Sequence, residues 1–215
     1  MSAAARRNVA PVLDPLEARR LFAAAPVVVN GTAGNDLIEI AQTATHYIVT
    51  VNGTANAHLF ADVSNIDVKC GDGNDVVIAT SLMLGFYADG GNGNDALIGG
   101  HGADTFLGAA GKDVLYGGPN NDRLNGAGGN DKVIGEAGFD RCYAGDGSDY
   151  VDGGSSNDRL YLTGTGLDTA FGGGGDDIFF AFDRTKDELY GASGTDTATC
   201  DTIDLRASLE HVAVI

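Results

Sequence analysis

Aspartate residues recur along the middle of this chain at a strict nine-residue period. The uninterrupted series is Asp95, Asp104, Asp113, Asp122, Asp131, Asp140, Asp149 and Asp158. Ca²⁺ takes about six to eight oxygen ligands, and it draws them from carboxylates and backbone carbonyls. Carboxylates that recur at a fixed spacing are therefore candidate ligands for a hard cation such as Ca²⁺.

Most residues between these aspartates fit one rule, G-G-x-G-x-D-x-U-x, in which U is apolar; Asn120 and Ser156 replace its third glycine, and Ala144 replaces its first. We number the positions of this unit 1 to 9, which places the aspartate at position 6 and U at position 8. The U residues of the eight units are Leu97, Phe106, Leu115, Leu124, Val133, Cys142, Val151 and Leu160. They predict one inward-facing side chain in each short strand. Glycine at positions 1, 2 and 4 allows a positive φ or a close approach of the backbone.

Weaker copies of the unit flank the regular block. Asp36 and Asp75 lie in upstream copies, and Asp177 lies in a downstream copy that restores the full rule after a one-residue insertion. Asp168 and Asp196 lack regular stacking partners, as Asp36 does, so their turns could equally be simple Asx turns. The turn that ends at Asp187 contains Arg184, Thr185 and Lys186, and we expect it to bind no ion.

The repeat from about Cys70 to Phe180 resembles the RTX, or haemolysin-type, calcium-binding nonapeptide repeat family. The resemblance implies an all-β fold, a parallel β-roll or right-handed β-solenoid, in which positions 1 to 6 form a turn and positions 7 to 9 a strand. Two units complete one coil of about 18 residues. We expect short β caps at both ends, since an open coil edge would pair with other chains.

The resemblance also implies which atoms hold calcium: the aspartate carboxylates and the backbone carbonyls of positions 1 and 3. The carboxylate candidates are Asp75, Asp95, Asp104, Asp113, Asp122, Asp131, Asp140, Asp149, Asp158 and Asp177. The carbonyl candidates are Gly90, Asn92, Gly99, His101, Gly108, Ala110, Gly117, Pro119, Gly126, Gly128, Gly135, Ala137, Gly153, Ser155, Gly172 and Gly174.

Successive turns of such a coil alternate between two edges, so each aspartate should stack on the one 18 residues away. Asp95 then pairs with Asp113, and the same rule gives roughly six pairs, hence roughly six calcium ions, in the regular block. Without the ion, carboxylates about 4.8 Å apart repel one another. We therefore expect calcium binding and folding to be one event.

The composition limits the remaining possibilities. A chain of 215 residues with 43% hydrophobic residues can form one folded domain. Its net charge of -17 makes nucleic acid and anionic membranes poor partners, and no apolar stretch approaches the ~20 residues of a membrane span. The cysteines, Cys70, Cys142 and Cys200, are expected to be buried.

We expect four segments along the chain. Residues 1–25 form an export or sorting segment, or alternatively a disordered basic tail; Leu16 to Ala24 resembles a short segment found near the start of many exported bacterial repeat proteins. Residues 26–69 form an N-terminal β cap with a degenerate repeat, 70–180 the calcium-binding β-roll, and 181–215 degenerate repeats with a C-terminal cap. Export to the extracellular space or the cell surface of a bacterium would match the millimolar calcium that weak sites require.

No catalytic motif accompanies the repeats, because the four histidines are isolated and neither HExxH nor G-x-S-x-G occurs. We therefore expect a non-enzymatic, secreted structural or interaction module of unknown oligomeric state. The alternative is a repeat module that acts with a separate secreted enzyme or adhesin. Polysaccharide binding is a further possibility, because Tyr116, Tyr143, Tyr150 and Tyr161 could line a sheet face.

Overall fold

The computed structural model describes residues 24–59, 62–202, 204–209 and 211–214, and within these ranges the chain forms β-strands and no α-helix. The predicted export segment therefore lies almost entirely outside the described residues. The strands are β1 Ala25–Asn30, β2 Leu37–Gln42, β3 His46–Val51, β4 Thr54–Leu59, β5 Val63–Asp72, β6 Val76–Ile78, β7 Tyr87–Asn92, β8 Ala96–Ile98, β9 Thr105–Ala110, β10 Val114–Pro119, β11 Arg123–Gly128, β12 Lys132–Ala137, β13 Arg141–Asp146, β14 Tyr150–Ser155, β15 Arg159–Tyr161, β16 Thr169–Gly174, β17 Ile178–Ala181, β18 Glu188–Ser193, β19 Thr197–Cys200, β20 Leu205–Ala207 and β21 His211–Val214.

From β5 onward the strands alternate between two sheets, so that each coil contributes one strand to each sheet. Sheet A has the order β1-β5-β7-β9-β11-β13-β15-β17-β19-β21, and sheet B has the order β20-β18-β16-β14-β12-β10-β8-β6-β2-β3-β4. All pairings between coils are parallel, and the result is a solenoid of about seven turns. The prediction of an all-β parallel roll is confirmed.

The register between coils is 18 residues in the regular block, where Val114 pairs with Lys132 and Arg123 pairs with Arg141. It becomes 19 residues where Tyr150 pairs with Thr169, after the insertion that precedes Asp168. The hydrogen-bonded ladder thus continues across the insertion, because the extra residue is accommodated in the turn between strands.

The strands are longer than the family resemblance implies. Most span six residues, positions 7 to 9 of one unit and positions 1 to 3 of the next, as β9 does with Thr105–Ala110. Positions 2 and 3 pair with the next coil, as Gly118 does with Glu136 and Pro119 with Ala137. The first half of the predicted turn is therefore part of the sheet.

The core is a narrow column between the two sheets. All eight U residues of the regular block are buried, and Phe106 is the largest of them. The three cysteines are buried and form no disulfide. Because each coil contributes few apolar side chains, the hydrophobic stabilisation of a single coil is small.

The two ends of the solenoid differ. At the N-terminal end, β2, β3 and β4 form an antiparallel meander at the edge of sheet B, and β1 adds to sheet A. At the C-terminal end, β20 and β21 continue the two sheets in parallel with β18 and β19. No helix among the described residues has the length and apolar character needed to cross a bilayer.

Candidate metal centre

Two columns of buried aspartates run along the two edges of the solenoid. They account for every buried polar or charged residue within the described ranges. One column consists of Asp36, Asp75, Asp95, Asp113, Asp131, Asp149, Asp168, Asp187 and Asp204. The other consists of Asp104, Asp122, Asp140, Asp158, Asp177 and Asp196. Each of these residues directly precedes a strand. Its side chain is buried inside the turn that forms the edge of the solenoid.

A hydrogen bond connects each aspartate to the next one in its column. In the regular block, Asp95 N donates to Asp113 Oδ1 at 2.8 Å, and Asp113 N donates to Asp131 Oδ1 at 2.8 Å. The second column repeats this contact, with 2.7 Å between Asp122 N and Asp140 Oδ1. The stacking of aspartates 18 residues apart, which the nine-residue period predicts, is therefore present in the structure.

The second carboxylate oxygen, Oδ2, accepts no hydrogen bond along most of both columns. This applies to Asp75, Asp95, Asp113, Asp122, Asp131, Asp140, Asp149, Asp158, Asp177 and Asp187. A buried carboxylate oxygen without a donor costs free energy, and such atoms are rare in native proteins. Their repetition along both columns provides a series of buried, negatively charged oxygens with which a cation can pair.

Oxygens from two consecutive coils face the same small space beside the position-1 glycines. A Cβ on Gly108 would lie 2.5 Å from Asp113 Oδ2 and 2.8 Å from the carbonyl oxygen of Gly126. A Cβ on Gly153 would likewise lie 2.5 Å from Asp158 Oδ2 and 2.8 Å from the carbonyl oxygen of Gly172. A carboxylate and a carbonyl that converge without an intervening side chain match the ligand preference of calcium.

Glycine at positions 2 and 4 has a conformational role. Gly91 and Gly93 have φ values of +95° and +134°, in the region that L side chains rarely adopt. Asn120 and Ser156 take position 4 with φ values of 79° and 85°. These two residues therefore preserve the turn, although they lack the conformational freedom of glycine.

Burial raises the pKa of most column aspartates, and for Asp113, Asp122 and Asp158 the charges of the neighbouring aspartates raise it further. The pKa reaches about 8 for Asp122 and Asp158 and about 7 for Asp113. The backbone N–H that donates to each Oδ1 lowers the pKa but does not compensate for burial. Asp36 differs, because the N–H of Thr32 donates to its Oδ2 and lowers its pKa.

The predicted carbonyl ligands at positions 1 and 3 have different surroundings. The position-1 carbonyls of Gly126 and Gly172 face the orphaned oxygens described above. The position-3 carbonyls already accept bonds from position-4 amides of the preceding coil, as Ala110 O does from Gly93 N at 2.8 Å. A carbonyl oxygen has two lone pairs, so this bond leaves one for a metal. The assignment of individual ligands stays a prediction.

The columns also include aspartates for which the sequence indicated no regular partner. Asp149 N donates to Asp168 Oδ1, Asp168 N to Asp187 Oδ1, and Asp187 N to Asp204 Oδ1. Asp168 and Asp187 are each followed two positions later by a buried apolar residue, Ala170 and Leu189, and this signal could have identified them. Asp187 has an orphaned Oδ2 although its turn departs from the consensus.

A second, outer ladder runs beside each column at position 5. The amides of Asn94 and Lys112 donate to the side-chain oxygens of Asn74 and Asn94 at 2.8 and 2.7 Å. On the other edge, Phe139 N donates to Asn121 Oδ1 at 2.9 Å. Asparagine recurs in the sequence directly before the aspartate, and this pattern could have predicted the outer ladder. The ladder explains why asparagine recurs there.

The Asp104 turn is an exception within the regular block. Its Oδ2 accepts a hydrogen bond from Gly100 N at 3.0 Å, and neither Gly100 nor Gly102 has a positive φ. The turn packs against the backbone of Leu82 and Gly85, in a loop that lacks the repeat. Asp104 stacks on Asp122 as predicted, but its carboxylate is already satisfied by the protein.

Within the described residues, no three His, Cys, Asp or Glu side chains cluster as a metal site would require. Any cation between stacked turns must therefore take most of its ligands from backbone oxygens, as the resemblance implies. The chemistry of the donor set is hard and oxygen-only, which suits calcium rather than zinc.

Comparison with known protein families agrees with this geometry. Four copies of the RTX calcium-binding nonapeptide repeat match residues 87–115, 107–142, 125–160 and 160–181. No curated protein matches the chain. Residues 87–181 are therefore a run of RTX calcium-binding nonapeptide repeats.

Proposed function

We propose that calcium binds between stacked aspartates at both edges of the solenoid, and that this binding and the folding of the chain are one event. The observation that carries the proposal is the series of buried Oδ2 atoms that have no hydrogen-bond donor. In each pair the two aspartates and the position-1 and position-3 carbonyls would hold the ion. The calcium ion, when bound, supplies the positive charge that these carboxylates lack.

The energetic argument supports coupling to folding. Each coil buries one U side chain per sheet but also one carboxylate per edge, and the carboxylates stack at about the strand spacing of ~4.8 Å. The small apolar area that each coil buries cannot offset both the entropy lost when the chain is ordered and the repulsion between carboxylates at a poorly solvated edge. A ligand that binds only the folded chain stabilises it by mass action.

The role that follows is structural and non-catalytic, and we place it outside the cell. Sites built largely from backbone carbonyls and two carboxylates resemble weak extracellular calcium modules, with dissociation constants of about 10⁻⁴ to 10⁻³ M. The chain would then remain unfolded at low calcium and fold on reaching millimolar calcium. A secreted or cell-surface spacer or interaction module of a bacterium is the corresponding function.

A calorimetric calcium titration of the metal-free chain tests the proposal by its stoichiometry. The regular block contains six stacked pairs. Five of them, all except Asp104–Asp122, join aspartates whose Oδ2 atoms are both orphaned, and these five set the lowest number of ions expected. The contacts outside the block add seven further pairs and set the upper limit at thirteen. Circular dichroism should change in parallel with ion uptake, and saturation by fewer ions than this lowest number would contradict the proposal.

The substitution Asp131→Asn separates metal binding from the aspartate ladder. The asparagine side chain keeps an Oδ1 that can accept the bond from Asp113 N, but it replaces the orphaned Oδ2 with an NH₂ group. Because Asp131 stacks between Asp113 and Asp149, we expect the stoichiometry to fall by up to two ions.

The matched control for this substitution is Glu39→Gln, since the side chain of Glu39 on β2 is exposed and lies outside both columns. Calorimetry on both variants should show a loss of sites only in Asp131→Asn. An unchanged stoichiometry in Asp131→Asn would exclude its carboxylate as a ligand.

A further inference from the structure

Three arginines form a row on the outer face of sheet A. Arg123 pairs in register with Arg141, and Arg141 pairs in register with Arg159, so they lie on adjacent strands β11, β13 and β15. All three side chains are exposed. At the strand spacing of ~4.8 Å, the row places three positive charges along about 10 Å. The chain as a whole carries a net charge of -17, so the row is a local reversal of sign.

This arrangement costs stability in the isolated chain. Like charges directly opposite each other on neighbouring strands are destabilising. Within sheet A, the outward positions 7 and 9 of the strands β9, β11, β13, β15, β17 and β19 contain no acidic residue that could offset the row. Asp176 lines a groove together with Arg159, but its Oδ1 accepts the amide of Thr195 in the outer ladder. No acidic side chain in the described part of the fold therefore holds the guanidinium groups of Arg141 and Arg159.

Aromatic residues beside the row do not provide a flat platform. Tyr143, Tyr161 and Phe180 stack on one another, with ring centroids 4.4 and 4.7 Å apart and nearly parallel planes. The Arg123 guanidinium lies over the Tyr143 ring at 4.4 Å and donates to the hydroxyl of the same residue at 2.6 Å. These contacts cover the faces of the Tyr143 and Tyr161 rings, so neither a sugar ring nor a nucleic-acid base can stack on them.

The geometry points to a binding site for a linear carboxylated polyanion, of the acidic polysaccharide class, along the arginine row. Guanidinium groups bind carboxylates through two parallel hydrogen bonds. A single extended chain can follow a narrow row of three charges. A nucleic-acid duplex carries one charge per ~1.7 Å and would also meet the acidic remainder of the protein, so the balance of charge disfavours it.

This inference rests on the proposed calcium-dependent fold, because only the folded sheet brings the three arginines into register. The test uses the full chain in excess calcium and immobilised hyaluronan as the carboxylated probe, with neutral dextran and duplex DNA as comparison surfaces. Wild-type protein should bind hyaluronan, bind dextran no better than a blank surface, and release hyaluronan as the salt concentration rises. Circular dichroism in calcium establishes first that each sample is folded.

The decisive variant combines Arg123→Gln, Arg141→Gln and Arg159→Gln, and we expect it to bind hyaluronan about 10- to 100-fold more weakly. The matched control removes three positive charges elsewhere, through Lys112→Gln, Lys132→Gln and Lys186→Gln, and should bind as the wild type does. An equal loss of hyaluronan affinity in both variants would show that binding depends on net charge or on calcium bridging. It would overturn the assignment of the site to the arginine row. Tighter, arginine-dependent binding to DNA would overturn the polysaccharide class. Failure to fold in calcium would instead refute the proposed function.

Discussion

Metal-free protein at neutral pH should lack most of its β structure, and either calcium or acid should restore it. The expectation follows from the two columns of buried carboxylates, which repel one another when ionised and have no basic partner at their orphaned oxygens. Calcium removes the repulsion by supplying positive charge, and protons remove it by neutralising the carboxylates. Either calcium ions or protons should therefore be sufficient to restore the fold.

The direction of the pH dependence follows from the raised pKa values. Burial and neighbouring charge raise the pKa of Asp122, Asp158 and Asp168 from 3.8 to about 8, and burial raises that of Asp140 to about 6. Between these values and 3.8 the folded chain binds more protons than the unfolded chain. The free energy of unfolding of the metal-free protein must then fall as the pH rises from about 4 to about 8. Calcium affinity should rise over the same window, because the ligands must be deprotonated.

Circular dichroism of dialysed, metal-free protein across this pH range measures the effect, with the calcium-saturated protein as the reference. We expect the β signal of the metal-free sample to increase on acidification and that of the saturated sample to be nearly constant at neutral pH. A metal-free chain that is as β-rich at pH 8 as the calcium-bound chain would show that folding does not require the ion.

The substitution Gly129→Ala should be among the most destabilising single changes in the regular block. Gly129 occupies position 4 with φ +136°, and an added Cβ would overlap the carbonyl oxygen of Gly111 in the preceding coil. Neither backbone can move away easily, because Gly111 N donates to Gly128 O at 2.8 Å and Gly129 N donates to Asp146 O at 2.7 Å. Backbone strain and overpacking together should cost roughly 2–4 kcal/mol.

The adjacent glycine offers the control. A Cβ on Gly128 would lie 3.5 Å from its nearest neighbour, the carbonyl oxygen of Ala109, and Gly128 pairs in register with Ala110, which already carries a Cβ. Gly128→Ala should therefore change the free energy of unfolding by less than about 1 kcal/mol. Urea denaturation in excess calcium measures both variants. Equal stability of the two would mean that position 4 does not need its left-handed conformation.

Much of the fold was predictable because the repeat is strict. The resemblance carried by the nine-residue period implies a coil of two units, in which the aspartates align at the edges and the U residues align inside. Leu97, Leu115 and Val133 do align in this way, in register on adjacent strands of sheet B. Local sequence is sufficient here, because each coil contacts only its neighbours and repeats their geometry.

The same locality explains where the sequence was insufficient. Spacing along the chain suggested that Asp36, Asp168 and Asp196 had lost their partners, whereas the structure pairs Asp36 with Asp75 across 39 residues and Asp177 with Asp196 across 19. Inserted residues, including the hairpin of β2 and β3, loop out between two stacked aspartates. The number of residues between the aspartates therefore changes, while the hydrogen bond between them is kept. Hydrogen bonds between coils, rather than distance along the chain, set the register.

The amino-acid sequence by itself thus determined the repeat, the class of fold, the aspartates of the regular block and the chemistry of their ligand oxygens. Only the tertiary structure decided how far the aspartate columns extend and that positions 1 to 3 belong to the sheets. These features depend on which coils stack and which faces turn outward. Such relations arise between residues distant along the chain, and no single nonapeptide contains them.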